Sequence, residues 1–454
     1  MNMDRRRLFA AVAGAASAGA ATPALAREPR DSNAIPRAEI DAATLGVRPN
    51  AEEDQSTVLQ RAIERAAAAG AVLRLPPGRY RAGALQLPPY AALAGVAGTT
   101  RLVMAGGPSM FTATGSNYVS LSGLVLDGAN IPLPDGRGLV HLTQGRAARI
   151  ADCEIVAAGG NGITLQAIAG EVTGNTINAA EYAVFSNDAA GLKIAGNTVL
   201  GAGNGGILVW RTNPGDDGTL VIDNRIEDIA NKSGGSGQYG NGINIFRADN
   251  VIVRGNRIRN AAFSAVRGNS ASNLQIVGNT CTGLGECALY AEFGFEGAVV
   301  ANNIVDGAAV GVSVTNFDKG GRLGIVQGNL IRNLLREQPP GSDPNDTIGI
   351  GVEADTVVIG NVIENVKGIG IQAGWGPYLR DVTVTANVVR GADYGIAVSV
   401  ASGAGTAVIA NNLVSGARLG AIVGMEWGKP VTGDLSKDGA DRYAQLSIDG
   451  NRVR

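Results

Sequence analysis

The feature that most constrains how this 454-residue chain can fold is a six-residue pattern that keeps returning: apolar, any, Gly or small, Asn, any, apolar. It reads Val172-Thr-Gly-Asn-Thr-Ile177, Ile194-Ala-Gly-Asn-Thr-Val199, Val253-Arg-Gly-Asn-Arg-Ile258 and Val358-Ile-Gly-Asn-Val-Ile363. Including looser copies, the asparagine positions are Asn175, Asn197, Asn224, Asn256, Asn279, Asn302, Asn329, Asn361, Asn387, Asn411 and Asn451, with a base period near 22 to 24 residues and insertions that lengthen some periods. Upstream, Ile150-Ala-Asp-Cys-Glu-Ile155 and Leu121-Ser-Gly-Leu-Val-Leu126 are degenerate copies. Between successive asparagines lies Gly or Ala followed by strict apolar alternation, as in Gly162-Ile-Thr-Leu-Gln166, Gly206-Ile-Leu-Val-Trp210 and Gly242-Ile-Asn-Ile-Phe246. Alternation of that kind is a strand with one buried face. Each period therefore holds at least two short strands and two turns.

Helical solenoids repeat at longer periods with a 3.6-residue rhythm, and leucine-rich repeats carry a fixed Leu scaffold. Neither is present. The pattern predicts an all-β, single-stranded right-handed parallel β-helix, a solenoid of about a dozen coils in which equivalent strands stack ~4.8 Å apart. The 66 glycines, spread along the chain, fit its many corners. The recurrent Asn reads as structural, an inward amide ladder hydrogen-bonded from coil to coil. Solenoid ends need caps. Residues 56–69 are expected to form an amphipathic capping helix with Val58, Leu59, Ala62, Ile63 and Ala66 on one side and Gly70 as its stop, and 72–80 to begin the solenoid.

Lys plus Arg (38) nearly balance Asp plus Glu (40), so no basic footprint for nucleic acid exists. Beyond the first 26 residues no stretch is apolar for the ~20 residues that span a bilayer, and stable membrane insertion is not expected. At the N-terminus, Asp4-Arg5-Arg6-Arg7-Leu8-Phe9 resembles the twin-arginine export motif; an Ala/Gly run over 10–21 and Ala24-Leu25-Ala26, a small-x-small cleavage pattern, follow it. The expected organisation is a twin-arginine signal peptide over 1–26, an N-terminal segment with the capping helix over 27–71, and the parallel β-helix over 72–454. Export by the twin-arginine translocase, in folded form, would place the protein in the periplasm or outside the cell. Three cysteines are too few for a disulfide framework. Cys281 and Cys287 are close enough to bridge a turn, while Cys281 also falls at an inward position where it can act as a small apolar residue.

Leu45-Gly-Val-Arg-Pro-Asn50, Asp54-Gln-Ser-Thr57, Leu59-Gln-Arg-Ala-Ile63 and Leu75-Pro-Pro-Gly-Arg-Tyr80 resemble the N-terminal cap of the pectate-lyase-like β-helix superfamily. With its leader, the whole chain is similar to twin-arginine-translocated repeat proteins without an established activity. The first resemblance covers about 40 residues and implies the fold; the second spans nearly the whole chain and implies no chemistry. The superfamily's usual catalytic signatures Gly-His-Gly, Asn-Thr-Asp and Asp-Pro-His-Glu are missing.

The outward residues of the alternating unit, read coil by coil, compose one surface. The first row runs Thr164, Phe185, Leu208, Asn244, Arg267, Tyr290, Ser313, Gly351, Gln372, Ala397, and the second Gln166, Asn187, Trp210, Phe246, Asn269, Glu292, Thr315, Glu353, Gly374, Ser399. A middle patch gathers Trp210, Asn244, Phe246, Arg267, Asn269, Tyr290 and Glu292. Insertions at 211–218, 316–322, 375–380 and 426–443 follow this strand, and those at 227–240 and 332–346 precede it, so loops on both margins are expected to wall a groove.

Aromatic faces stack on sugar rings, amides and carboxylates bind hydroxyls, and Arg pairs with a uronate carboxylate. These features predict a β-helix acting on an acidic polysaccharide or cell-envelope glycan by lyase or C5-epimerase chemistry. Arg267 would neutralise the sugar carboxylate and Tyr290 or Lys319 would move protons, with Glu292 in the same cluster. Trp210, Arg211, Asn244, Phe246, Arg247, Asn269, Glu353 and Trp375 are the expected substrate-binding residues. Hydrolysis would use Glu292 and Glu353, two coils and a loop apart. The alternative is a non-catalytic glycan-binding or envelope-structural repeat protein. The outward facing of Arg267 predicts that its loss weakens glycan binding with little effect on folding. The sole histidine, His141, is placed in an early coil away from the patch and read as structural. No cofactor or metal set is evident; Ca²⁺ has oxygen ligands available but no loop motif to support it.

Overall fold

The computed structural model describes residues 38–178, 181–235, 237–334 and 347–454. The expected leader 1–26, the segment 27–37, and residues 335–346 of one predicted insertion lie outside the described residues. The unit Ala38–Arg454 is a right-handed parallel β-helix. Each full coil supplies three strands, one to each of three faces, rather than only the two that the repeat requires.

One face, here the site face, carries the alternating units. Its strands include Phe111–Thr114, Tyr182–Asn187, Asn241–Asp249, Val266–Asn269 and Cys287–Glu292, all parallel. The predicted register is the observed one: Thr164 pairs with Phe185, Phe185 with Leu208, Leu208 with Asn244, Asn244 with Arg267 and Arg267 with Tyr290. One residue of slip would have exchanged every inward and outward side chain. Among the described strands, Lys429–Asp434 pairs antiparallel, folding back on Gly420–Glu426.

Glycine at the head of the site strand has a steric cause. A Cβ on Gly206 would lie 2.3 Å from the Gly242 carbonyl oxygen of the next coil, closer than non-bonded atoms approach.

The asparagine ladder is present, with two corrections. Each ladder Asn before the last rung donates through Nδ2 to the next Asn Oδ1 and to a backbone carbonyl of the preceding coil. In return its Oδ1 accepts the side-chain and backbone N–H of the Asn before it, as at Asn224, Asn256 and Asn279. The rungs between Asn279 and Asn329 and between Asn387 and Asn451 are Asn303 and Asn412, not Asn302 and Asn411. The residue before each rung turns the corner with positive φ, 67° at Gly174 and 68° at Gly255, and Asn302 (57°) and Asn411 (58°) hold that corner position. Asn is the non-glycine residue that best tolerates left-handed backbone. In an Asn-Asn doublet the first therefore makes the turn and the second points inward.

The capping helix is Ser56–Ala68, with Leu59, Ala62, Ile63 and Ala66 buried and Val58 half-buried. It covers the open edge chemically as well as sterically. Gln60 accepts from the Gln86 backbone N–H at 2.8 Å and donates to the Gln86 carbonyl at 3.1 Å, as a neighbouring strand would. Coil stacking begins ahead of this helix, not at Val72, since Glu39–Asp41 pairs in parallel with Val72–Arg74. All three cysteines are free and buried; Cys281 stacks inward between Ile258 and Val305, so the bridge to Cys287 is not formed.

Candidate functional site

The two outward rows lie side by side as predicted, but they are not uniformly open. Three successive coils present half-buried rings. Phe185 and Trp210 pack edge to face with centroids 5.4 Å apart, Trp210 and Phe246 follow at 5.5 Å, and Tyr182 flanks Phe185 at 6.0 Å. Half-buried Asn187 precedes Trp210 in the second row, and half-buried Asn269 follows Phe246. Guanidinium groups border the tract. Arg247 lies over the Phe246 ring at 4.7 Å and donates to the Thr212 carbonyl at 3.0 Å, while Arg211 donates to the Ala189 carbonyl at 3.2 Å.

The first row is covered further along. Asn244 is buried: it accepts from the Trp210 indole at 2.9 Å and donates to the Gly237 carbonyl at 3.4 Å, so the loop preceding its strand lies over it. Arg267 is only 8% exposed and Glu292 2%. The outward facing of Arg267 was right, but the accessibility expected from it was wrong. Its Nε and Nη2 donate to the two Glu292 oxygens at 2.6 and 3.1 Å, and Nη1 donates to Glu286 at 3.3 Å. Burial alone would lower its pKa, but Glu292 and then Glu286 outweigh this and hold the guanidinium above its ordinary value. Asn269 donates to the same Glu292 at 3.1 Å.

Arg267, Tyr290 and Glu292 are therefore brought together, as the sequence predicted, into a closed ion-pair network. A guanidinium already shared by two carboxylates is a poor partner for a third from a sugar. Desolvation, then Glu292, pushes the Tyr290 phenol well above its usual range, so it stays protonated. Lys319 is exposed on the 3₁₀ turn Phe317–Lys319, paired with Asp318 at 3.5 Å. Glu353 is buried and accepts the Phe317 N–H at 2.6 Å, which ties down that turn. Trp375 belongs to a separate aromatic group toward the C-terminus, 5.9 Å from Trp427.

His141 lies three coils before Trp210, away from the middle patch as expected, but it pairs with Thr164 and, on its other side, with Thr112, so it extends the first outward row one coil back. The alternation Val140-His-Leu-Thr143 carries that signal, masked because Leu139 stands where later units have Gly or Ala. Among the described residues no three His, Cys, Asp or Glu are grouped as a metal site would require, and no helix is long and apolar enough to cross a membrane.

Residues 112–226 match the family model described as "Right handed beta helix region". A search of curated proteins found no matching sequence. Among solved structures, the N-terminal fragment of bacteriophage phi29 gene product 12 aligns with a TM-score of 0.52 at 15% identity, covering 85% of this chain and 68% of that one. The A-module of a mannuronan C-5 epimerase from Azotobacter vinelandii aligns at 0.45 and 14%, covering 91% and 99%. An exopolygalacturonase from Thermotoga maritima aligns at 0.42 and 13%, covering 94% and 93%. By fold, the chain is a right-handed parallel β-helix.

Proposed function

We propose that the protein is a glycan-binding β-helix that holds an acidic polysaccharide along the site face, without bond cleavage at the Arg267 cluster. The observation that carries this reading is the tract of half-buried rings on three successive coils, Phe185, Trp210 and Phe246, flanked by two amides and bordered by Arg211 and Arg247. Rings on successive coils of a rigid scaffold, Trp210 and Phe246 in register and Phe185 one row over, suit a linear polymer lying across the coils, and guanidinium groups at the margin favour anionic sugars. Lyase or epimerase chemistry through Arg267 is the weaker reading, because Glu292 and Glu286 occupy the cation that would neutralise the uronate. With the leader read from 1–26, export through the twin-arginine translocase would bring this surface to envelope glycans.

The test is affinity electrophoresis of the purified protein against polyuronates and neutral polysaccharides, with parallel measurement of ultraviolet absorbance from unsaturated ends and of C5 inversion. Retardation by a polyuronate, lost in Trp210→Ala and Phe246→Ala, with no turnover, is the expected result. Absence of retardation by any acidic glycan overturns the binding reading. Turnover that disappears in Arg267→Lys restores the lyase or epimerase.

A further inference from the structure

A cavity of about 440 Å³ opens on the site face beside the aromatic tract, one to three coils before Trp210. That volume falls in the range of small-ligand sites, roughly 300–1,000 Å³. Its floor is His141, Thr164 and Phe185, in register on three coils, with Gln166 and Asn187 beside them. One wall is the loop carrying Asp135 and Arg137.

The wall is fixed by backbone contacts. The Gly136 carbonyl accepts from the Thr164 hydroxyl at 3.1 Å and from Asn161 at 3.3 Å, and the Arg137 carbonyl accepts the Asn161 N–H at 3.0 Å. A Cβ on Gly138 would come within 2.6 Å of the Thr164 backbone nitrogen, so only glycine lets the chain descend this closely. The cavity is thus shaped by main chain, which leaves the charged side chains available for a ligand.

Its polar groups are of mixed kind. His141 lines the cavity while its Nδ1 is buried with no hydrogen-bond partner among the described residues. Desolvation, and next the charge of Arg137, lower its pKa to about 4, so it is a neutral imidazole at neutral pH. The cavity offers one guanidinium, one carboxylate, two amides, a neutral imidazole and an aromatic ring within the span of one or two sugar rings.

We infer that this cavity is a subsite for one carboxylate-bearing sugar residue, in which Arg137 pairs with the carboxylate, Asp135, Gln166, Asn187 and His141 take hydroxyls, and Phe185 packs against the ring. The inference rests on the groove reading above and adds to it: the aromatic tract holds the polymer, and this cavity selects for acidity. Its position, adjoining Asn187 and then Trp210, makes it continuous with the tract.

The test uses calorimetric titration of the intact protein with a uronate trisaccharide and with the same trisaccharide carboxyl-reduced to a neutral sugar. Wild type should prefer the acidic ligand. Arg137→Gln should lower affinity for the acidic ligand by about 10- to 100-fold, as expected for loss of a charge-assisted hydrogen bond, and leave the neutral ligand nearly unchanged. His141→Gln should weaken both ligands alike, because a neutral imidazole reads hydroxyls. Thermal unfolding of both variants should match wild type, since main chain holds the wall. If Trp210→Ala abolishes binding while Arg137→Gln leaves the acidic preference intact, the subsite is wrong and the groove stands. If neither trisaccharide nor any polyuronate binds, both readings fall.

Discussion

Replacing Asn256 by Ala should expose how the solenoid is held together. Asn256 is fully buried and sits mid-ladder. Its Nδ2 donates to the Val221 carbonyl at 2.9 Å and to Asn279 Oδ1 at 3.0 Å; its Oδ1 accepts the backbone N–H and the side-chain N–H of Asn224, both at 2.9 Å. Truncation removes all four bonds. Asn279 Oδ1 keeps the Asn256 backbone N–H, and the carbonyl of Val221 can relax, so the principal damage is two buried donors left without acceptors at Asn224. At about 1–3 kcal/mol per unsatisfied buried group, the loss should be about 2–6 kcal/mol. Asn451, at the last rung, is only half-buried, and water can reach the groups that its removal would expose. Asn451→Ala should therefore cost about 1 kcal/mol or less. Urea unfolding of both variants measures the difference, and native-state amide exchange should show the Asn224 N–H losing protection in Asn256→Ala alone. Equal losses at the two rungs, or a loss under about 1 kcal/mol at Asn256, would refute the ladder as a cooperative hydrogen-bonded element.

Two further outcomes follow from buried charge. Arg267→Ala leaves Glu292 buried with its guanidinium partner gone, and should destabilise the protein by about 3–5 kcal/mol in denaturant titration, where Glu292→Gln should cost less because Glu286 still pairs with Arg267; a near-neutral Arg267→Ala would show that the network is solvated. Asp217 is buried, and desolvation raises its pKa to about 6 against the opposing Thr219 hydroxyl and Arg211. Since the folded state holds this proton more tightly than the unfolded one, the stabilisation is complete below about pH 4 and is lost as pH rises through 6, by about 2–3 kcal/mol in total. Asp217→Asn should flatten the stability profile over that interval, and parallel profiles for wild type and variant would contradict the assignment.

The fold was legible because a solenoid is built from local rules repeated. Alternation placed the site strand and its register, and the Asn period placed the inward corner, down to the pairing of Thr164 with Phe185 and of Arg267 with Tyr290. Where local signals are degenerate, as in the doublets Asn302-Asn303 and Asn411-Asn412, the inward position is ambiguous by one residue, since either Asn can take the left-handed corner. Alternation also reports only which way a side chain faces. Whether an outward residue meets water depends on what other coils lay over it, and such contacts are not periodic. The Gly237 carbonyl above Asn244 and the Glu286 carboxylate beside Arg267 both come from segments preceding site strands, and they close the patch that the sequence left open. A loop held down at Gly136 opens a cavity over His141, which the sequence had set aside. Direction came from the backbone's two-residue rhythm; accessibility came from loops that this rhythm does not encode.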